Sequence, residues 1–173
     1  MQPVAGVTVR AATPADAESV SALILGNAAH HAGPPVFLPL VPEAGELVRR
    51  HVVDQFAAGT STYWLAERDG LPVSMLGFQP GQPDGNLVAP AQYIHLAEAF
   101  TDPSERGRGV ASTLLRHSLR WARDYGYRWC TVNWDSANLE GSRFWLGHGF
   151  RPIAARVYRL LDERIFWATA ADR

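Results

Sequence analysis

Between Thr101 and Ser112 the chain sets arginines among glycines in the run Arg106-Gly107-Arg108-Gly109-Val110-Ala111. A strand-like stretch, Tyr93-Ile94-His95-Leu96-Ala97-Glu98-Ala99-Phe100, leads into the run. A helical pattern of Val110, Leu114, Leu115, Leu119 and Ala122 leaves it. A strand, a glycine-containing turn and a helix N-terminus together aim unpaired backbone N–H groups and a positive dipole end at one spot. Such a spot suits a phosphate. Gly109 lets the backbone approach an anion closely, and the small Ala111 leaves room for a diphosphate. Ser112 and Thr113 either add hydroxyl donors or simply cap the helix. The run is neither a dinucleotide-binding G-x-G-x-x-G nor a Gly-Lys-Ser/Thr nucleotide loop, and a Gly/Arg hexamer by itself is more often a surface turn.

The strand before the loop carries two titratable side chains. Glu98 is a carboxylate in an otherwise apolar run, and burial there would raise its pKa and make it a better base. The competing reading is a buried structural carboxylate. His95 falls on the opposite face by simple alternation, unless a β-bulge alters the parity. It reads first as a satisfied strand histidine and second as a base.

Downstream, Asn138 precedes Ser142-Arg143-Phe144-Trp145 and then Gly149-Phe150. With the Arg106 run, written as Arg/Gln-x-x-Gly-x-Gly/Ala, and the opening Val7-Thr8-Val9-Arg10-Ala11-Ala12-Thr13-Pro14-Ala15-Asp16, this order resembles the GNAT acetyltransferases. The resemblance covers nearly the whole chain. It implies acetyl-CoA as co-substrate, its diphosphate on the backbone from Arg106 through Gly107, Arg108, Gly109 and Val110 to Ala111, with Ser112 beside it. It also implies that strands four and five splay apart, so that backbone groups at Phe100 and Thr101 meet the pantetheine arm. Asn138 would touch the same arm, cap the next helix, or do both; Trp145 counts with the cofactor-binding positions. Many members of the family carry Tyr at the Trp145 place as general acid. Indole cannot give up a proton at useful pH. Tyr158 could act instead, although a core or interface role is the first reading for it.

The resemblance implies transfer of an acetyl group to a primary amine of a small molecule or peptide N-terminus, with Glu98, His95 and Tyr158 as candidate proton-handling residues. The alternative is an acyl-CoA-binding sensor of the same fold with little catalysis. No metal is expected, because the adjacent His30-His31 lacks ligand spacing and no Cys or carboxylate joins it. His30 and His31 are expected to line the substrate mouth or to sit in solvent.

The elements that must hold these residues can be traced along the 173-residue chain, a length that suits one domain. Strands are expected at 7–11, 62–68, 73–79, 93–100, 128–134 and 153–160. Helices should run from Pro14 to about Gly26, over 44–58, from Val110 to about Tyr125, and over 138–147. Residues 30–39 are too rich in Pro for a helix, and 80–90 should form an excursion between strands three and four. Asp69-Gly70 signals a hairpin. The fold class is α/β: a mixed sheet with helices on both faces.

A net charge of −1 argues against a general nucleic-acid binder. No apolar run reaches the length of a membrane span, and no basic-then-apolar leader opens the chain; a cytoplasmic protein is expected. All sixteen basic residues are Arg, which suggests a G+C-rich bacterial genome. The single Cys130 reads as a buried small hydrophobe. The aromatic-rich segment 158–167 suggests a homodimer.

Overall fold

Asp69 and Gly70 both take positive φ, 52° and 77°, the pair of left-handed residues that a two-residue hairpin turn requires. The chain reverses across them to join β2 (Thr62–Arg68) and β3 (Leu71–Pro80). The computed structural model describes residues 4–81 and 92–155. With β1 (Val7–Ala11), β4 (Tyr93–Thr101) and β5 (Trp129–Val132), the hairpin forms a five-stranded sheet in the order β1-β2-β3-β4-β5. The first four strands are antiparallel, and β5 lies parallel to β4. The helices are α1 (Ala17–Ala32), α2 (Ala44–Ala58), α3 (Val110–Asp124) and α4 (Leu139–Gly147). The expected mixed α/β fold is observed.

Among the described residues, 4–27, 42–81 and 92–133 form one compact unit, and 28–41 with 134–155 form another. In the first, one sheet face packs on Val20, Leu23 and Ile24 of α1 and Val52 of α2, against Tyr63, Leu65 and Met75. The other face carries α3, whose Val110, Leu114, Leu115 and Ala122 are buried. There Trp121 meets Trp64 and Phe78, with ring centroids 5.7 and 6.0 Å apart. Arg10 of β1 binds Glu67 of β2 at 2.9 Å and Asp16, ahead of α1, at 2.8 and 2.7 Å. That guanidinium holds the Asp16 carboxyl well below the usual carboxylate range.

α1 does not stop near Gly26 as expected, and His30 and His31 lie in its last turn. Gly26 is a packing glycine rather than a cap. A Cβ there would stand 2.8 Å from the Phe100 ring, so the missing side chain makes room for that ring. The Ala-rich stretch beyond sustains the helix until Gly33-Pro34. β3 is longer than expected, and β5 is shorter than 128–134. Residues 151–155 carry no regular structure, and the rest of the expected strand at 153–160 lies outside the described residues, as does most of the excursion at 80–90.

One irregularity shapes the centre of the sheet. Phe78 pairs with Leu96 but Gly77 pairs with Glu98, so Ala97 is an extra residue, a β-bulge in β4. Gly77 faces this bulge where a Cβ would come within 2.8 Å of the Tyr63 ring and 3.2 Å of the Glu98 Cβ. Gly77→Val should therefore destabilise the protein by roughly 1–3 kcal/mol through overpacking. Urea unfolding of the two proteins measures this; an unchanged midpoint is the contrary result.

Candidate active site

The bulge decides which side chains share a face. Gln79 pairs with His95 and Gly77 with Glu98, and residues two apart on β3 point to the same side. His95 and Glu98 therefore lie on one face, together with Phe100, which pairs with Met75. The opposite-face placement that alternation predicts is overturned by the single extra residue Ala97. Their shared face is the one covered by α1 and α2, against whose core Phe100 packs.

Glu98 is partly buried, and desolvation raises its pKa above the ordinary glutamate value, opposed in part by the Asn27 side chain. Tyr63 lies close enough that the Glu98 charge adds to the burial that raises its own pKa. The His95 imidazole is half-buried, and burial lowers its pKa, favouring the neutral ring at neutral pH. Its Nδ1 lies 3.0 Å from Thr131 Oγ1 on β5.

Pairing between β4 and β5 covers only Tyr93–Trp129 to Leu96–Val132. Beyond Leu96, at the bulge, β4 has no pairing with β5 and continues to Thr101 bonded to β3 on its other side only. Asp102 N–H donates to Val73 of β3 at 2.9 Å. Backbone groups alternate sides along a strand, so Thr101 and Ala99 turn theirs toward the opening, and Phe100 turns its own toward β3. Ser74 Oγ, on β3, donates to the Phe100 carbonyl at 2.9 Å. The expected pair at the opening, Phe100 and Thr101, is thus corrected to Ala99 and Thr101. Arg106 Nε already donates to the Thr101 carbonyl at 3.2 Å, and its guanidinium carbon stands 5.8 Å from the centre of the Phe100 ring.

After β4 a 3-10 turn, Pro103–Glu105, leads into the loop. Asp102 fastens the turn by accepting Ser104 N–H at 2.8 Å. Gly107 and Gly109 take φ of 72° and 80°, the left-handed region that strains any side chain with a Cβ. Gly109 is the N-cap of α3 and offers no side-chain acceptor. The first backbone bond of the helix is Thr113 N–H to the Gly109 carbonyl, at 3.0 Å. The N–H groups of Val110 and Ala111, ahead of that bond, thus have no partner within the helix. The Arg106 N–H is taken by Pro103, at 3.3 Å. Arg116, one turn into α3, binds the Ser112 carbonyl and Thr113 Oγ1, each at 3.3 Å. Glu105, which the sequence did not single out, is buried beneath the loop and ion-paired to Arg68 at 2.9 Å.

In the other unit Asn138 caps α4, its Oδ1 accepting Gly141 N–H at 2.9 Å. That cap leaves Nδ2 to donate to His31 Nε2, 3.2 Å away. His31 thereby has a structural partner, which the expectation of a site in solvent did not include. Trp145 is buried, edge-on to both Phe144 and Phe150. Tyr158 lies outside the described residues. Among those described, no cluster of His, Cys, Asp and Glu could hold a metal ion, and no helix is long and apolar enough to cross a membrane.

A model of the Acetyltransferase (GNAT) family matches residues 35–150. The chain belongs to this family. It is 30% identical over 98 residues to human N-acetyltransferase 8, covering 57% of this chain and 42% of that protein. It is 30% identical over 108 residues to N-acetyltransferase 8B of Rattus norvegicus, covering 60% and 47%. The chain thus spans less than half the length of these curated relatives. Among solved structures, the fold is similar to a GCN5-related N-acetyltransferase from Ralstonia eutropha, with TM-score 0.72, 18% identity and coverage of 91% of this chain and 100% of that one. It is also similar to aminoglycoside N-acetyltransferase AAC(6')-Iy in complex with CoA, with TM-score 0.71, 17% identity and coverage of 95% and 100%.

The raised pKa of Glu98 has a consequence for stability. In the unfolded chain this carboxyl titrates near the ordinary glutamate value, and in the fold it titrates higher. The folded state therefore binds more protons between the two values, and its stability falls as pH rises through that window. Glu98→Gln removes this penalty. Its melting temperature relative to wild type should rise between pH 4 and pH 8, in scanning calorimetry at both; a relative fall would mean that the charged carboxylate is the stabilised form.

Proposed function

We propose that this protein is an acetyl-CoA-dependent N-acetyltransferase that acts on a primary amine of a small molecule or a peptide N-terminus. The observation that carries the reading is the strand opening joined to the loop. β4 leaves β5 at Leu96, exposes the backbone of Ala99 and Thr101, and runs into two left-handed glycines at an uncapped helix N-terminus. In this reading the diphosphate sits on the N–H groups from Gly107 to Ser112. The amide arm pairs along Ala99 and Thr101; Asn138 and Trp145 keep the cofactor-binding roles that the family resemblance implies.

The amine nitrogen attacks the thioester carbonyl, the C–N bond forms, and the C–S bond breaks to release CoA as thiolate. The attacking ammonium must first lose a proton, and Glu98, with its raised pKa, takes it directly or through one water. His95, neutral and on the same face, is the second candidate. A thiolate with an ordinary thiol pKa is a tolerable leaving group near neutrality, so Trp145 at the place of a tyrosine need not stop transfer. That same tryptophan is the observation that favours the second reading, an acyl-CoA-binding sensor of the same fold. Turnover of acetyl-CoA over a panel of amines, read as released thiol, separates the two.

The remaining parts of the reading are a single domain, a bacterial source, a cytoplasmic site of action, no metal and a homodimer. The bacterial source rests on the all-arginine basic composition and the homodimer on the aromatic-rich segment 158–167, which lies outside the described residues.

Gly109→Val should abolish acetyl-CoA binding, because the new side chain is strained at φ 80° and occupies the anion's approach. Its Cβ would also stand 3.3 Å from the Val4 side chain. Unchanged affinity by titration calorimetry would remove the loop from the assignment.

Glu98→Gln should keep acetyl-CoA binding and lower kcat/KM for the acceptor by about 10²-fold, as for loss of a general base. Since Glu98 must be ionised to act and its pKa is raised, the acidic limb of the wild-type profile should fall above the ordinary glutamate range. Rates within a few-fold of wild type from pH 6 to 9 would transfer the role to His95 or water.

A further inference from the structure

We infer that Glu105 and Arg68 together are positioning residues for the anion-binding loop, a role that rests on the proposed acetyl-CoA reading of that loop. Glu105 is the last residue of the 3-10 turn, and its backbone N–H donates to the Asp102 carbonyl at 2.9 Å. Its side chain turns inward rather than to solvent and is 8% exposed. One carboxylate oxygen accepts Nε–H of Arg68 at 3.0 Å, and Nη2 of the same guanidinium stands 2.9 Å from that oxygen. Arg68 is the last residue of β2, and its Nη1 also donates to the Ala5 carbonyl at 3.3 Å. The loop is thus tied to the sheet by a pair that is distant in sequence and largely withdrawn from water.

The other carboxylate oxygen faces Arg108 Nη1 at 3.7 Å, too long for a good hydrogen bond. Arg108 is exposed and stands between the two left-handed glycines. Glu105 therefore grips Arg68 tightly and Arg108 loosely. The first contact fixes where the loop sits, and the second orients a guanidinium while leaving it able to turn to an incoming anion. Neither Glu105 nor Arg68 needs to touch the ligand. Both act through the loop's backbone, whose N–H groups serve a diphosphate only if they already converge when it arrives.

A lone charge left by a single substitution is expected to cost much of the stability. The test therefore uses the paired variant Arg68→Met/Glu105→Met alongside Glu105→Gln, each with its melting temperature recorded. Titration calorimetry with CoA and steady-state rates with acetyl-CoA and a responsive amine are then compared with wild type. Expected are a CoA Kd and an acetyl-CoA KM raised about tenfold in both variants, with kcat and the acceptor KM within twofold. The two losses should be similar, because the pair works as a unit. A folded paired variant with wild-type CoA affinity overturns the inference, and so does a fall in kcat without a change in acetyl-CoA KM. Wild-type protein that binds no CoA would instead overturn the acetyl-CoA reading itself, which keeps the two failures distinct.

Discussion

The backbone pairing of β4 governs the rest of the structure. On one side the strand is bonded to β3 along its length, and on the other it has a partner for only four residues. Where β5 departs, β4 takes in one extra residue, Ala97. A bulge twists and bends a strand, so the loss of pairing and the irregularity occur at the same place. Two things follow. Backbone groups that a longer β5 would have bonded are turned to the gap, and an acid and an imidazole that would have faced opposite ways face the same way. A strict ladder would provide neither.

Around that opening the protein uses arginine as a tie. Arg10 joins β1, β2 and the start of α1 through Glu67 and Asp16. Arg68 joins the end of β2 to the turn before the loop, and Arg106 closes that turn back on Thr101. A planar fork with several donors can satisfy two or three acceptors at once, which suits it to corners where elements meet. The compositional bias against lysine therefore has a structural use, whatever its origin.

The parts of this arrangement governed by local chemistry were legible in the chain. The Asp69-Gly70 hairpin, α2 at 44–58 and the amphipathic α3 all follow from short-range rules, and so does the placing of the glycine loop between strand and helix. What was not legible depends on partners distant in sequence. Gly26 resembles a helix stop and is instead a seat for Phe100, which lies on another element. The bulge at Ala97 has no signature of its own, since the glycine that makes room for it is across the ladder at position 77. Parity turns on it: simple alternation puts His95 on the opposite face, and the bulge, raised as the exception, brings it to the side of Glu98. The backbone side of Phe100 follows instead from the Asp102–Val73 bond, again a contact between strands. Glu105 escaped notice for the same reason, because a glutamate in a Pro-Ser-Glu turn looks like a surface residue until Arg68 is placed beside it.

Cys130, inside β5, is the only thiol of the chain. Burial pushes it up to about 12, and its Sγ leans on the neighbouring Thr131 carbonyl at 3.8 Å. Sulfur reacts as thiolate, so at neutral pH this one is almost wholly in the unreactive form. The folded protein should accordingly react slowly with disulfide-exchange dyes and alkylating reagents, although Cys130 is only partly covered. Under the proposed acetyl transfer, thiol-specific colour that scales with added amine reports released CoA, and a rise to one equivalent per chain without amine reports that β5 has come apart.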